Sequence, residues 1–347
     1  MRRLSSKLIL PNITLGVSVL LFILGCANTS AESSAEETRT QGGEEMTEVS
    51  QGVHRQTMTV DGNEREFSYY VPGNSASKQL PIVIYLHGYG DNMRHILGEG
   101  LVSSASSKWM DVAEREGFLV VYPLGMEAEG WRSKPAWNDC RRDAKNNPKV
   151  DDVAFVRQLI NYTVENLNGD RKRVYVTGMS NGGHMAMRVA MEMSSEVAAV
   201  APVVALLPRA NKCSPPSEPV PILMMHGTAD PIAPFEGGAM KGGRGDVLSA
   251  RETANTWVKW NKLESAPERT SEVEDKNKSD DSRIVKRIRE GSPAGNAVIA
   301  YEVQGAGHTE PSRAAKMSGV LQAAQGNQNN DIEMAETIWE FFRTRSR

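Results

Sequence analysis

The sequence predicts an α/β fold in which a mostly parallel central sheet carries helices on both faces. The first observation behind this prediction is a series of continuous apolar runs, which are typical of strands buried on both sides. These runs are residues 81–86, 118–122, 173–177, 198–204 and 221–225. The second observation is that apolar residues recur at helical spacing between the runs, most clearly over residues 153–167. Strands that alternate with helices favour parallel pairing, with the helices packed on the two sides of the sheet.

Local patterns predict the remaining elements. Asp61-Gly62-Asn63 separates residues 57–60 from residues 66–71, and an Asp-Gly turn between such runs indicates a hairpin. The other predicted elements are a strand at residues 297–303, a helix at residues 332–342, a long loop at residues 124–150 and an exposed charged segment at residues 265–283.

Length and charge limit the possible architectures and partners. The chain has 347 residues and a formal net charge of -3, which gives no electrostatic reason to expect nucleic acid as a partner. No period of roughly 20–50 residues recurs, so a solenoid or a propeller is not expected. We expect a single folded domain over residues 51–347, and a monomer.

The N-terminus has the pattern of an export signal. A basic start precedes an apolar run at residues 13–24. A run of about 12 residues is too short to cross a bilayer as a helix, and it is typical of the apolar part of a secretory signal. An uncleaved membrane anchor is the alternative interpretation.

The residues after this run resemble the lipobox of a bacterial lipoprotein. The resemblance implies that residues 1–25 are a lipoprotein-type signal peptide and that Cys26 becomes a lipid-modified N-terminus. Residues 26–50 are polar and predict a disordered tether. The protein is therefore expected outside the cytoplasm, either secreted or anchored by lipid at the outer membrane or cell surface.

The cysteine count agrees with this compartment. The chain has three cysteines, and setting aside Cys26 leaves the pair Cys140 and Cys213. Two cysteines in an exported domain favour a disulfide, and two free buried thiols are the alternative.

The pentapeptide Gly178-Met179-Ser180-Asn181-Gly182 matches the pattern G-x-S-x-G. A short motif of this kind arises easily by chance, but here a predicted strand leads into it and a helix-compatible segment follows. Strand, sharp turn and helix form the setting in which this motif presents a nucleophilic serine in α/β-hydrolases. The sequence therefore predicts an α/β-hydrolase fold with Ser180 as the nucleophile.

The partners of Ser180 follow from chain order, which is serine, acid and then histidine in this fold. Asp230 comes just after the apolar run 221–225, and His308 is the one histidine beyond it. Asp230 is thus predicted to orient His308, which acts as the base; an ordinary turn aspartate and a surface-loop histidine are the alternatives. The backbone N–H groups of Tyr89 and Asn181 are the expected oxyanion donors.

The other histidines have different predicted roles. His184 lies one helical turn after Ser180 and is expected on the helix surface or in the pocket. His87 and His226 are expected to make structural hydrogen bonds beneath the site, and His87 is also a pocket candidate. No cluster has metal-ligand spacing and no glycine-rich stretch fits a phosphate loop, so we predict neither a metal nor a cofactor.

With these residues placed, the sequence resembles the secreted polyhydroxybutyrate depolymerase and feruloyl esterase family of α/β-hydrolases. The matching motifs are LHGYGDN (86–92), WNDC (137–140), DDVAFVRQLI (151–160), YVTGMSNGGHMA (175–186), HGTADPIAPF (226–235) and GAGHTEP (305–311). The resemblance implies a triad of Ser180, Asp230 and His308. It also implies carboxylic ester substrates, such as polysaccharide-linked acyl or feruloyl groups or hydroxyalkanoate esters.

One position departs from the family pattern. Glu310 stands where the family often has tryptophan, which removes an aromatic wall, adds a charge and favours a smaller soluble ester. Trp131 and Trp137 are further pocket candidates, although buried packing is the alternative for each. The competing functions are a peptidase of the same fold and a non-catalytic, glycan-binding surface lipoprotein.

Overall fold

The central sheet of the computed structural model is mostly parallel, as the alternating pattern predicts. The structure describes residues 49–73, 78–100, 102, 104–128, 133–291 and 295–347. Over these residues the strands are β1 (Gly52–Val60), β2 (Asn63–Val71), β3 (Leu80–Leu86), β4 (Leu119–Pro123), β5 (Met126–Glu127), β6 (Pro135–Ala136), β7 (Gly169–Met179), β8 (Ala199–Val203), β9 (Ile222–Gly227), β10 (Gly238–Ala239), β11 (Asp246–Val247), β12 (Arg269–Glu272), β13 (Arg283–Glu290) and β14 (Ala297–Gln304).

Within this part of the chain, ten strands form one sheet in the order β1-β2-β4-β3-β7-β8-β9-β14-β13-β12. The neighbours from β4 to β14 pair in parallel. The hairpin β1–β2 and the strands β13 and β12 extend the two edges in antiparallel pairing. The carboxyl ends of the parallel strands therefore lie along one edge, where open α/β sheets place their sites.

The helices begin where capping residues occur in the sequence. They are α1 (Met93–Ile96), α2 (Lys108–Glu116), α3 (Asp152–Asn166), α4 (Asn181–Glu192), α5 (Ala250–Trp260), α6 (Gly319–Gln325) and α7 (Met334–Phe342), with a 3-10 turn at Ala105–Ser107. The Asp151 side chain accepts hydrogen bonds from the N–H groups of Val153 and Ala154 at the start of α3. Ser249 and Glu252 form a reciprocal capping box at the start of α5.

Two apolar layers cover the sheet, as the prediction of helices on both faces requires. Ile82 and Ile84 of β3 face the layer that contains Phe155 of α3. Val83 and Tyr85 of the same strand face the opposite layer, to which α2 and α7 contribute. Because side chains alternate along a strand, a continuous apolar run supplies both layers at once.

The structure corrects the sequence-based elements in two places. The segment 265–283, predicted to be an exposed excursion, contains the edge strand β12, although all four side chains of β12 are exposed as expected. The neighbouring strand β13 has the sequence RIVKRIRE, and helix α5 precedes the charged segment; neither was predicted. The closing helix starts at Met334 rather than at residue 332.

The predictions for the signal peptide, Cys26 and residues 26–48 of the tether fall outside the described residues. The described residues between 49 and 347 belong to one compact unit. Among the helices that the structure describes, none has the length and apolar character needed to cross a membrane.

Candidate active site

Ser180 occupies a sharp turn between β7 and α4. Its backbone φ of 54° and ψ of -116° lie in a region that non-glycine residues rarely adopt, and such strain is concentrated at functional sites. Its N–H donates to the Val203 carbonyl oxygen at 2.8 Å, which ties the turn to β8. A side chain at Gly178 or Gly182 would overlap the Leu86 carbonyl oxygen, so the tight approach to β3 requires both glycines.

A continuous hydrogen-bond chain joins Ser180, His308 and Asp230. The Ser180 Oγ lies 2.7 Å from His308 Nε2, and His308 Nδ1 lies 2.7 Å from Asp230 Oδ2. An ionised carboxylate only accepts, so Nδ1 donates to Asp230 and Nε2 is left to accept from the serine hydroxyl. The structure thus brings together the three residues that chain order selected. This geometry provides a nucleophile, a base and an orienting acid.

The surroundings of Asp230 favour its ionised form. Its Oδ1 accepts from the N–H groups of Ile232 and Ala233, each at 2.8 Å. Burial acts to raise the pKa of Asp230, but the hydrogen bond and positive charge of His308 outweigh it and leave the pKa below its ordinary value. His226 lies close by, with Nε2 bonded to the Ala233 carbonyl at 2.8 Å; burial lowers the pKa of this histidine. His226 therefore has the structural role expected for it.

The backbone N–H groups of the two expected oxyanion donors make no hydrogen bond within the described residues. Tyr89 lies in the turn after β3, and Asn181 is the first residue of α4. Such donors are suited to hold negative charge that develops on a substrate oxygen.

A single segment, residues 135–141, contacts the Asn181 side chain and the residues on both sides of Tyr89, and we call it the support loop. The Pro135 carbonyl accepts from the Gly90 N–H at 2.8 Å, and the Trp137 indole Nε1 donates to the His87 carbonyl at 2.9 Å. These contacts hold the turn that carries Tyr89. The Asn181 side chain accepts from the Trp137 N–H at 2.7 Å through Oδ1, and its Nδ2 donates to the Trp137 carbonyl at 3.1 Å.

The support loop contains a buried ion pair. Asn181 Nδ2 also donates to Asp139 Oδ2 at 2.7 Å, and Arg141 Nη2 donates to the same oxygen at 2.6 Å. Both side chains of the pair are almost completely buried. Burial alone would raise the pKa of Asp139, but the Arg141 guanidinium holds it down to about 2. Asp139 is therefore a permanent anion at neutral pH.

His184 packs near this ion pair rather than on the helix surface. It is 2% exposed, and both its ring nitrogens lack a hydrogen-bond partner in the described residues. Burial and then the Arg141 charge lower the pKa of His184 to about 3, so it stays neutral.

A disulfide anchors the support loop at Cys140. Cys140 and Cys213 are joined, as the cysteine count predicts, with their Cα atoms 5.4 Å apart and a sequence separation of 73 residues. The linkage attaches the support loop to the segment after β8. The bridge thus fixes a neighbour of Asp139 to a distant part of the chain.

The cleft above Ser180 has a volume of about 330 Å³ and contains His308, Tyr89 and Glu310 in its walls. The pocket prediction for His87 and Trp137 is wrong, because both side chains are 0% exposed and lie beneath the cleft. His87 instead accepts from the Gly125 N–H at 2.9 Å through Nε2. Trp131 lies outside the described residues.

The sequence predicts that Glu310 adds a charge to the pocket, but in the structure its charge depends on pH. It is half-buried, and its Oε1 accepts from the Tyr85 hydroxyl at 2.7 Å. Burial raises the pKa of Glu310 to about 7, so this carboxyl changes charge near neutral pH.

Sequence reasoning selected Ser180, Asp230 and His308, which the structure places within hydrogen-bond distance of one another, and missed the support loop. Asp139 and Arg141 lie in a segment predicted to be a structureless loop, and nothing in its local pattern relates them to Asn181. The available signal was the placement of charged residues on both sides of Cys140. A cysteine predicted to form a disulfide marks its neighbours as fixed in space.

Comparisons with known proteins find similarity to esterases. Residues 73–242 match the family model described as phospholipase/carboxylesterase. The chain is 29% identical over 263 residues to the putative esterase NocK of Nocardia uniformis subsp. tsuyamanensis, and the match covers 73% of each chain. It is 27% identical over 244 residues to feruloyl esterase B of Piromyces equi, a match that covers 69% of this chain and 41% of that protein.

Among solved structures, the acetyl xylan esterase from Aspergillus awamori superposes with a TM-score of 0.49 and 16% identity, covering 78% of this chain and 98% of that one. The family match and the curated relatives agree with the mostly parallel sheet described above. Residues 73–242 are thus similar to phospholipase/carboxylesterase domains, the sheet is that of an α/β-hydrolase, and the esterase relatives indicate an enzyme that acts on carboxylic ester bonds.

Proposed function

We propose that the protein is an exported serine esterase that hydrolyses carboxylic esters through an acyl-enzyme on Ser180. The observation that carries this proposal is the unbroken chain from Ser180 Oγ through His308 to Asp230, with both steps at 2.7 Å. This chain of hydrogen bonds begins at the strained turn between β7 and α4, and Ser180 and His308 line the cleft. These features together favour acyl transfer over a binding role alone.

In the proposed first step, Ser180 Oγ attacks the carbonyl carbon of the ester while His308 Nε2 takes the hydroxyl proton. Asp230 accepts from Nδ1 and stabilises the imidazolium that forms. The carbonyl oxygen becomes an oxyanion, which the N–H groups of Tyr89 and Asn181 bind. His308 then gives its proton to the departing alcohol, and the acyl group remains on Ser180.

In the second step, water attacks the acyl-enzyme. His308 takes a proton from the water as its oxygen bonds to the acyl carbon, and the same N–H groups bind the second oxyanion. When this intermediate collapses, the proton passes to Ser180 Oγ and the carboxylic acid leaves. The enzyme is restored without an external oxidant or cofactor.

The substrate range follows from the cleft and the relatives. We propose polysaccharide-linked acyl or feruloyl esters, or short hydroxyalkanoate esters. The names of feruloyl esterase B and of the bifunctional acetylxylan esterase/xylanase XynS20E of Neocallimastix patriciarum support the first class. Glu310 in the cleft wall supports a polar substrate, because it replaces a flat apolar surface with an acceptor.

The place of action is part of the proposal. The basic and apolar N-terminal pattern supports export, and Gly25-Cys26 supports a lipid anchor. The Cys140–Cys213 disulfide is of the kind that persists in oxidising compartments. We propose that residues 51–347 act as a single monomeric catalytic domain at the membrane surface or in the medium.

Replacement of the nucleophile tests the function most simply. In Ser180→Ala, turnover of p-nitrophenyl acetate is expected to fall by about 10⁴-fold, because the attacking oxygen is gone while binding groups remain. The measurement is initial-rate release of p-nitrophenol. Ser271→Ala, on the exposed strand β12, is the matched control and is expected to keep full activity. Undiminished turnover in Ser180→Ala, or faster cleavage of peptides than of esters by the native enzyme, would contradict the proposal.

A further inference from the structure

Glu310 is a titratable group in the active-site cleft that the proposed hydrolysis does not use. It lies two residues after His308 and shares the cleft wall with Ser180 and Tyr89. Its backbone is fixed, because Gln328 Nε2 donates to the Glu310 carbonyl at 2.9 Å and to the Ala315 carbonyl at 3.0 Å. A carboxyl group held in this way has a defined position relative to the reacting serine.

The two oxygens of this carboxyl group differ. Oε1 accepts from the Tyr85 hydroxyl at 2.7 Å. Oε2 receives no hydrogen bond from any residue that the structure describes. Because Glu310 lines the cleft, Oε2 is open to a donor that a ligand brings there.

Charged groups on several elements surround Glu310. Asp91 follows β3, and its Oδ1 lies 2.7 Å from Nδ1 of His95 on α1. Glu333, just before α7, accepts from the Ser312 hydroxyl at 2.8 Å. Burial raises the pKa of Glu310 to about 7; the Tyr85 hydrogen bond and His95 act to lower it, and Asp91 and Glu333 act to raise it. The carboxyl is neutral below this pH and anionic above it.

We propose that Glu310 forms a subsite for a hydrogen-bond donor carried by the substrate, either an ammonium or a hydroxyl group, beside the ester that Ser180 attacks. This inference rests on the proposed esterase function of the cleft. The donor's N–H or O–H points to Oε2, while Tyr85 holds Oε1. A substrate with only an apolar group at this position leaves Oε2 unpaired, which costs binding free energy.

The change in the charge of Glu310 with pH makes ligand binding at the subsite depend on pH. An ammonium group gains a charge-assisted hydrogen bond when Glu310 loses its proton, and this is expected to tighten binding about tenfold. A hydroxyl group gains less, because a neutral carboxyl group also forms hydrogen bonds with hydroxyls. The ratio of the two affinities should therefore rise as the pH passes through about 7.

Direct binding of two small probes tests the subsite. The probes are butylammonium, whose own charge stays constant over this range, and 1-butanol of matched length. Their dissociation constants are measured by ligand-observed NMR on the full chain at pH 6 and pH 8. We expect the butylammonium constant to fall about tenfold between these pH values, and the 1-butanol constant to change less than about twofold.

Two variants assign the effect to Glu310. In Glu310→Gln, which keeps the shape and can still bond Tyr85, the butylammonium constant is expected to become independent of pH. Glu264→Gln, an exposed position outside the cleft, is the matched control and should behave like the native protein. In Tyr85→Phe the transition should move to higher pH, because the hydrogen bond that lowers the pKa of Glu310 is lost.

The outcomes separate this inference from the proposed function. The same titration in Ser180→Ala is expected to give the native result, since binding at Glu310 does not need hydrolysis. Loss of esterase activity would overturn the proposed function, whereas the probe result decides the subsite alone. A butylammonium constant that does not change between pH 6 and pH 8 in the native protein, or an unchanged pH response in Glu310→Gln, would overturn the subsite. Equal tightening of both probes in the native protein but not in Glu310→Gln would support it with a hydroxyl as its ligand.

Discussion

Two carboxyl groups near Ser180 differ in their pKa. Asp139 lies below the oxyanion donors with its pKa near 2, whereas Glu310 lies in the cleft wall with its pKa near 7. Burial acts to raise the pKa of both. The difference lies in the partner, because Asp139 pairs with the Arg141 guanidinium and Glu310 bonds to the neutral Tyr85 hydroxyl. A full cation offsets the cost of burying an anion, and a hydroxyl group does so only in part.

The comparison assigns different tasks to the two sides of the site. The support loop and its neighbour His184 keep their charge states near neutral pH, since Asp139 is anionic and His184, with a pKa of about 3, is neutral. The support loop therefore holds the oxyanion donors in one geometry. The Glu310 side changes charge in the same range and faces the ligand. The support loop should affect the rate of hydrolysis, and Glu310 should affect which substrates bind.

Among changes to the support loop, the largest effect on activity is expected from removing its hydrogen bonds to the Asn181 side chain. Asn181→Ala keeps the backbone N–H that is proposed to bind the oxyanion but removes the side-chain bonds to Trp137 and Asp139. We expect kcat to fall about 100-fold with little change in KM, because a misplaced donor acts mainly on the transition state. Steady-state kinetics with p-nitrophenyl butyrate give both constants.

Asn166→Ala is the matched control, since Asn166 is exposed and bonds only within α3. Circular dichroism checks that each variant is folded at the assay temperature. If Asn181→Ala retained the native kcat, the support loop would not position the oxyanion donors. A rise in KM at constant kcat would also contradict this role.

A smaller effect on activity is expected from the disulfide. Replacing both Cys140 and Cys213 by serine removes a link across 73 residues, which the chain-entropy model values at about 4 kcal/mol of unfolding free energy. We expect kcat to fall less than about tenfold, because the hydrogen bonds of the support loop remain. Urea unfolding measures the stability change.

The double serine variant also tests whether Glu310 acts independently of the support loop. The butylammonium preference should keep its native pH response, since the disulfide does not contact Glu310. Native protein treated with dithiothreitol should match the serine variant in stability. An unchanged urea midpoint in both samples would show that the bridge does not stabilise the fold.

Much of the fold was predictable because burial on both faces leaves continuous apolar runs. Strands β3, β4, β7, β8 and β9 carry that signal directly. Strand β13 does not, because most of its side chains are only partly buried or exposed, which tolerates the charged sequence RIVKRIRE. Strand β12 is fully exposed, so no apolar pattern distinguishes it from a loop.

The hydrogen-bonded arrangement of Ser180, His308 and Asp230 was predictable because chain order and the strand-to-helix turn constrain it strongly. The support loop was not, because Asp139, Arg141 and Asn181 come together through tertiary contacts that leave no periodic pattern. The pKa of Glu310 also could not be predicted from the sequence, because it depends on the burial and the neighbours that the fold creates.

Covalent trapping of the nucleophile tests the central claim most directly. Diethyl p-nitrophenyl phosphate reacts with a serine activated by a histidine, and the mass of the intact protein and of its peptides locates the adduct. We predict one adduct, on Ser180, with none in Ser180→Ala and a much slower reaction in His308→Ala. An adduct on another residue, or equal labelling of native protein and His308→Ala, would contradict the account.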